Sequence, residues 1–164
     1  MTESSLLIDF KTASADDWQI VNDGVMGGRS RGSVDVANGA LSFTGELVTQ
    51  GGGFTSVRTF GEYDLSDYTG LELRVRGNGR TFEVEINDRW RIGGRPVSRR
   101  APFDTGEEWT IVRVPFEALR ATSRGRSIEV APLQLANVRR LGFFILDGQD
   151  GPFRLEVSRI SAFR

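Results

Sequence analysis

Residues 71–87 read LELRVRGNGRTFEVEIN. Leu71, Leu73 and Val75 fall on one face of an extended chain, and Glu72, Arg74 and Arg76 on the other. Gly77-Asn78-Gly79 interrupts the run, and Phe82, Val84 and Ile86 then alternate with Glu83, Glu85 and Asn87. A period of two marks a strand with one buried face, because successive side chains point to opposite sides of the backbone. The spacing predicts two strands, paired antiparallel across the glycine turn. Arg/Glu pairs on their outer face would hold the register.

The same pattern recurs on both sides. Leu6, Ile8 and Phe10 alternate near the start, and Ser33–Val36 and Ala40–Leu47 flank Asn38-Gly39, a two-residue hairpin signal. Leu41 and Phe43 are expected to face the core. A strand over 54–60 follows the cluster Gln50-Gly51-Gly52-Gly53, and Asp64–Thr69 reads as one helical turn or a wide turn. Trp109–Val114 is a strand ended by Pro115, with a helical turn at 116–119, and 132–140 is a loop with a short helix. LGFFIL at 141–146 is apolar at every position but its glycine, which suits a central strand covered on both faces. Phe153, Leu155 and Val157 alternate, and Ile160 and Phe163 resume after an expected bulge. Roughly nine or ten short strands and no long amphipathic helix predict an all-β, jelly-roll-like β-sandwich built as a single domain over 1–164.

Composition narrows the chemistry. The 164 residues include no cysteine and no histidine, which removes thiol catalysis, zinc-thiolate sites and a Ser-His-Asp triad from this chain. The net charge of -1 gives no basic field for nucleic acid. Lys11 is the one lysine among 21 cations, so arginine supplies almost every positive charge. Codon preference explains that bias, and so does pairing of guanidinium forks with carboxylates or phosphates. No apolar run approaches the ~20 residues that span a bilayer, and MTESSLLIDF has the features of neither a signal nor a transit peptide. The expectation is a soluble cytoplasmic protein with no membrane insertion.

Three groups of residues are candidates for a site. The first is the punctuated stretch WQIVNDGVMGGRS at 18–30, where Asn22, Asp23, Gly27, Gly28, Arg29 and Ser30 form a shaped loop, with Gly52 and Gly53 as a second glycine cluster beside it. It orients a ligand or satisfies its own backbone. The second is Arg58, Arg74, Arg76, Glu83, Glu85 and Asn87, expected on a charged sheet face that is either a binding surface or a solvated set of ion pairs. Glu83 and Glu85 lie two apart on one strand face, ~7 Å, a spacing that a pair of catalytic carboxylates also uses. The third is Asp147, Gln149 and Asp150, a weak Ca²⁺ candidate that a tight turn explains equally well. Trp18 and Trp109 read as core, and Trp90 as an exposed platform.

VNDGVMGGRS at 21–30, GGGFTSVR at 51–58, DLSDYTGLELRVRGNGR at 64–80 and LGFFILDGQDGPFRLEVSRI at 141–160 occur in this order. Together they resemble the complex I intermediate-associated protein 30 family over nearly the whole chain. The resemblance implies a galactose-binding-like β-sandwich, in agreement with the strand pattern. It also implies a non-catalytic binding or assembly role with a protein partner and no cofactor. The alternative is a carbohydrate-binding module that uses the charged face and Trp90.

Overall fold

The two strands at 70–77 and 81–87 form as expected, yet they belong to different sheets. A computed structural model describes residues 4–89, 91–92, 94–123 and 126–164. Its strands are β1 (Ser4–Asp9), β2 (Gln19–Asn22), β3 (Arg31–Ala37), β4 (Ala40–Leu47), β5 (Thr55–Tyr63), β6 (Gly70–Gly77), β7 (Thr81–Asn87) and β8 (Arg91–Ile92). There follow β9 (Arg95–Pro96), β10 (Ser98–Asp104), β11 (Thr110–Pro115), β12 (Arg120–Ser123), β13 (Arg126–Ser127), β14 (Val138–Ile145) and β15 (Gly151–Phe163). Among the described residues the helical elements are short 3₁₀ turns, including the expected ones at Phe116–Ala118 and Leu135–Asn137.

A six-stranded antiparallel sheet runs β11-β6-β15-β4-β3, with β1 also on β15. A seven-stranded sheet runs β13-β12-β10-β7-β14-β5-β2, and β8 and β9 make a small separate hairpin. The long β15 pairs along one edge with β6, and along the other first with β4 and then with β1. The expected bulge lies between Val157 and Arg159, where the register against β6 shifts. The β3–β4 hairpin closes at Asn38 (φ 55°) and Gly39 (φ 77°), the left-handed angles that a two-residue turn of this kind needs.

The expected β6–β7 pairing is corrected. β6 lies between β11 and β15, and β7 lies between β10 and β14. The segment 78–80 is therefore a crossover between layers. Both arrangements bury the same alternate residues, so the pattern cannot separate edge-to-edge pairing from face-to-face packing. The core between the layers draws Leu41, Phe43, Leu73, Leu155 and Val157 from one sheet and Val57, Phe82, Val84, Leu141 and Phe143 from the other. Phe82 joins the layers, with its ring 6.5 Å from that of Phe43 and 6.3 Å from that of Phe153.

Two smaller expectations also change. Leu6 is 55% exposed, because the β1–β15 register slips between Leu6 and Ile8 and takes Leu6 off the core face. Trp18 is core, packed against Phe10 and Phe143, but Trp109 is not. Its ring lies outside the six-stranded sheet under Arg74 (4.5 Å) and Arg76 (4.7 Å). Trp109 precedes the edge strand β11, where an aromatic finds cations on the neighbouring strand more readily than a place between the layers.

Candidate functional site

Asp23 organises the first candidate group. Its carboxylate is 0% exposed. The Ser30 N–H (2.9 Å) donates to Oδ1, and the Gly53 N–H (2.7 Å) and the Ser30 hydroxyl (2.7 Å) donate to Oδ2. The Phe54 N–H makes a longer contact of 3.4 Å. Burial pushes the Asp23 carboxyl up, but these donors outweigh it and hold the group below its ordinary value of 3.8. Gly28 and Gly52 press on the same carboxylate, so that a Cβ on either would come within 2.3–2.5 Å of it. Asn22 accepts from the Thr55 hydroxyl, and Gly27 caps the 3₁₀ turn Asp23–Met26 at φ 84°. The two glycine clusters thus meet, around a buried anion of the chain itself. Arg29 alone of this group projects as an exposed charged side chain.

The second group divides between the two layers, against the expectation of one face. Arg74 and Arg76 lie on the outer face of the six-stranded sheet, where Arg74 donates to the Ser158 hydroxyl (3.1 Å) and Arg76 pairs with Glu156. Arg58, Glu83, Glu85 and Asn87 lie on the outer face of the seven-stranded sheet. Pairing registers place Gln19, Arg58, Gly142, Glu85, Arg100 and Arg120 in one row across five pairings. The adjacent rows hold Phe60, Arg140 and Asn87 on one side, and Ser56, Phe144 and Glu83 on the other.

At the centre of this face Glu85 is 0% exposed, with both oxygens engaged. Arg140 Nε donates to one (3.0 Å) and the Ser98 hydroxyl to the other (2.5 Å). With its amide oriented to satisfy both partners, Asn87 donates to the Val97 carbonyl (2.8 Å) and accepts from Arg140. Arg100 stacks 4.6 Å over Phe144, donates to the Thr122 hydroxyl (3.1 Å) and lies 3.9 Å from Glu83. Among the described residues Arg58 has one hydrogen bond, to the Ser56 hydroxyl at 3.3 Å. Its Nε, like that of Arg100, is buried without an acceptor, but unlike Arg100 and Arg140 it has no carboxylate within 4 Å. Burial, and then the charge of Arg140, push the Arg58 pKa down, and Glu85 offsets part of this. Arg100 and Arg140 were not singled out from the sequence. Their signal was present as the arginine at the head of LGFF and the basic pair before Ala101, but only the sheet order brings them beside Glu85.

The third group is held by a cation already in the chain. Arg80 forks onto Asp147 (3.0 and 2.5 Å) and donates to the carbonyls of Gly151 and Pro152. Asp150 accepts from the Thr49 N–H (2.7 Å). The Ca²⁺ candidate is corrected accordingly: Asp147 serves a guanidinium, and among the described residues no group of three or more His, Cys, Asp and Glu gathers as for a metal. Trp90 lies outside the described residues. A cleft of 380 Å³ near one end of the sandwich, lined by Leu7, Asp9, Asp17, Phe60 and Tyr63 among others, includes none of the predicted site residues. No helix among the described residues is long and apolar enough to cross a membrane.

Against known proteins, the model of the complex I intermediate-associated protein 30 family matches residues 8–157. A mouse (Mus musculus) relative, "Complex I intermediate-associated protein 30, mitochondrial", is 35% identical over 105 residues, which are 62% of this chain and 32% of that protein. A relative of the same name from Drosophila melanogaster is 25% identical over 184 residues, covering 96% of this chain and 62% of that protein. The chain thus spans less than two thirds of the length of these relatives. They are named mitochondrial, which overturns the cytoplasmic placement expected from the sequence. Among solved structures, a family 11 carbohydrate-binding module from Clostridium thermocellum, in complex with a mixed-linked tetrasaccharide, superimposes with a TM-score of 0.76. It is 14% identical, with 97% of this chain and 94% of that chain covered. The family 11 module of a cellulosomal cellulase from the same organism gives 0.77, at 14% identity and 98% and 94% coverage. At such identity the likeness is one of fold, the galactose-binding-like jelly-roll sandwich.

Proposed function

The chain belongs to the complex I intermediate-associated protein 30 family, and from that premise we propose that it is a non-catalytic binding domain. It engages a protein partner during assembly of a respiratory or other multisubunit complex. The observation that carries this reading is the family match over 8–157. The geometry supports it in two ways. Asp23 and its glycines are consumed in building a loop, and Glu85 has both oxygens engaged, which leaves neither carboxylate free for proton transfer. The outer face of the seven-stranded sheet carries arginine and exposed aromatic surface, the residue types enriched where proteins anchor partners.

Capture of the tagged chain from its host, with crosslinking, tests the proposal. Recovery of subunits of one complex above a tag-only control is the expected result. Recovery of none would remove the reading. A second reading, sugar binding on the same face, draws on the likeness to the family 11 module and on Phe60, which is 60% exposed. Retardation in affinity electrophoresis with a neutral β-glucan would favour it.

A further inference from the structure

At the middle of the outer face of the seven-stranded sheet, three guanidiniums, of Arg58, Arg100 and Arg140, surround two carboxylates, of Glu83 and Glu85, with Arg120 on the next strand and Asp104 at the end of β10. The pairing is unequal. Arg140 has Glu85 at 3.0 Å, and Arg100 has Glu83 at 3.9 Å and an aromatic ring beneath it. Arg58 has no carboxylate within 4 Å among the described residues. Of its five N–H donors, one is used, in a long bond to Ser56. Folding normally avoids a partly buried guanidinium placed beside a second cation and left without an anion. Gly142 lies between Arg58 and Glu85 in the same row and puts no side chain over that part of the sheet. Phe60, one row away on the same strand face as Arg58, is 60% exposed.

We propose that Arg58 is an anchoring site for a carboxylate of an acidic protein segment, which lies across the seven-stranded sheet with Phe60 as its apolar contact. The argument for this occupant is charge complementarity. The central group has one cation more than it has carboxylates, and the guanidinium fork of Arg58 matches a carboxylate in shape and in donor number. The proposal deepens the protein-partner reading above and rests on it. It also has a consequence for stability. A cation that destabilises the free fold and is neutralised only in the complex should be dispensable for folding and costly to lose for binding.

The test uses octaglutamate as probe and octaglutamine as its neutral counterpart, with affinity read by calorimetry and Tm on the same samples. Octaglutamate should bind and octaglutamine should not, and added salt should weaken the binding. Arg58→Gln should weaken binding by about tenfold or more while raising Tm by about 2–4 °C. Arg58→Lys should fall between, because it keeps the charge and loses the fork. Phe60→Ala should weaken binding without lowering Tm. Arg159→Gln, an equal charge change on an exposed residue of the other sheet, should leave binding unchanged. Failure of octaglutamate to bind, or equal binding by Arg58→Gln, would overturn the proposal. A fall in Tm for Arg58→Gln would also overturn it, since Arg58 would then be a structural residue. Polygalacturonate held as tightly through Arg58 would transfer the site to sugar acids and overturn the protein occupant. If host capture succeeds and is indifferent to Arg58→Gln, this inference fails and the partner reading stands. If capture fails but octaglutamate binds through Arg58, the reverse holds.

Discussion

Asp23 is a carboxylate placed in the interior with hydrogen-bond donors in place of a cation. Charged hydrogen bonds to backbone N–H groups compensate for its lost hydration, and they tie the turn at 23–30 to the start of β5. Asp23→Ala would leave the buried donors of Ser30 and Gly53 without an acceptor and should cost at least ~3 kcal/mol. Asp23→Asn keeps one acceptor and should cost less. Gly28→Ala drives a Cβ into the same carboxylate and should cost about 1–3 kcal/mol. Urea midpoints at constant m-value would check all three. The glycines and the Asn-Asp pair showed in the sequence that a shaped loop stands here. That both glycine clusters serve one carboxylate was not legible, because Gly52 and Asp23 are brought together only by the β2–β5 pairing.

The crossover at 78–80 is the element on which the sandwich turns, and Arg80 fastens it. Both Arg80 and Asp147 are 9% exposed, and their bidentate contact joins the crossover to the loop between β14 and β15. Arg80→Gln leaves a largely buried Asp147 without its cation and should cost about 3–5 kcal/mol. The joint variant Arg80→Met with Asp147→Leu should recover part of that loss in thermal melts, because the desolvation penalty is then absent. The strands β6 and β7 were readable one by one, but their partners were not. An alternating pattern states which side of a strand is buried and is silent on which strand lies beside it. Trp109 was misread for a related reason. A strand-like neighbourhood does not tell whether an edge aromatic turns inward or lies under arginines on the outside.

For the whole molecule, the arrangement of charge sets the response to acid. Burial pushes the Asp147 carboxyl up, but the Arg80 fork and the Gln149 N–H outweigh it, so that Asp147, like Asp23, titrates below 3.8 when folded. The unfolded chain then binds more protons in that range, and stability falls as pH drops. The stabilisation from these two groups should be intact above about pH 4 and fade progressively below it. Thermal melts across the acid range should show a shallower loss for Asp23→Asn than for the parent chain. A parallel loss in both would remove Asp23 from the account.

The sequence by itself determined the class of fold, most of the longer strands in their order but not β10, β12 or β13, the Asn38-Gly39 hairpin, the bulge in β15, most of the buried faces and the family. These are local or periodic properties, set by backbone angles and by which alternate residues can leave water. Only the tertiary structure decided which layer each strand joins, that Asp23 gathers two distant glycine clusters, and that Arg58, Arg100 and Arg140 share a face with Glu85 while Arg74 and Arg76 do not. The physical reason is that lateral pairing brings together side chains far apart in the chain, and alternative pairings that bury the same apolar residues read identically in one dimension.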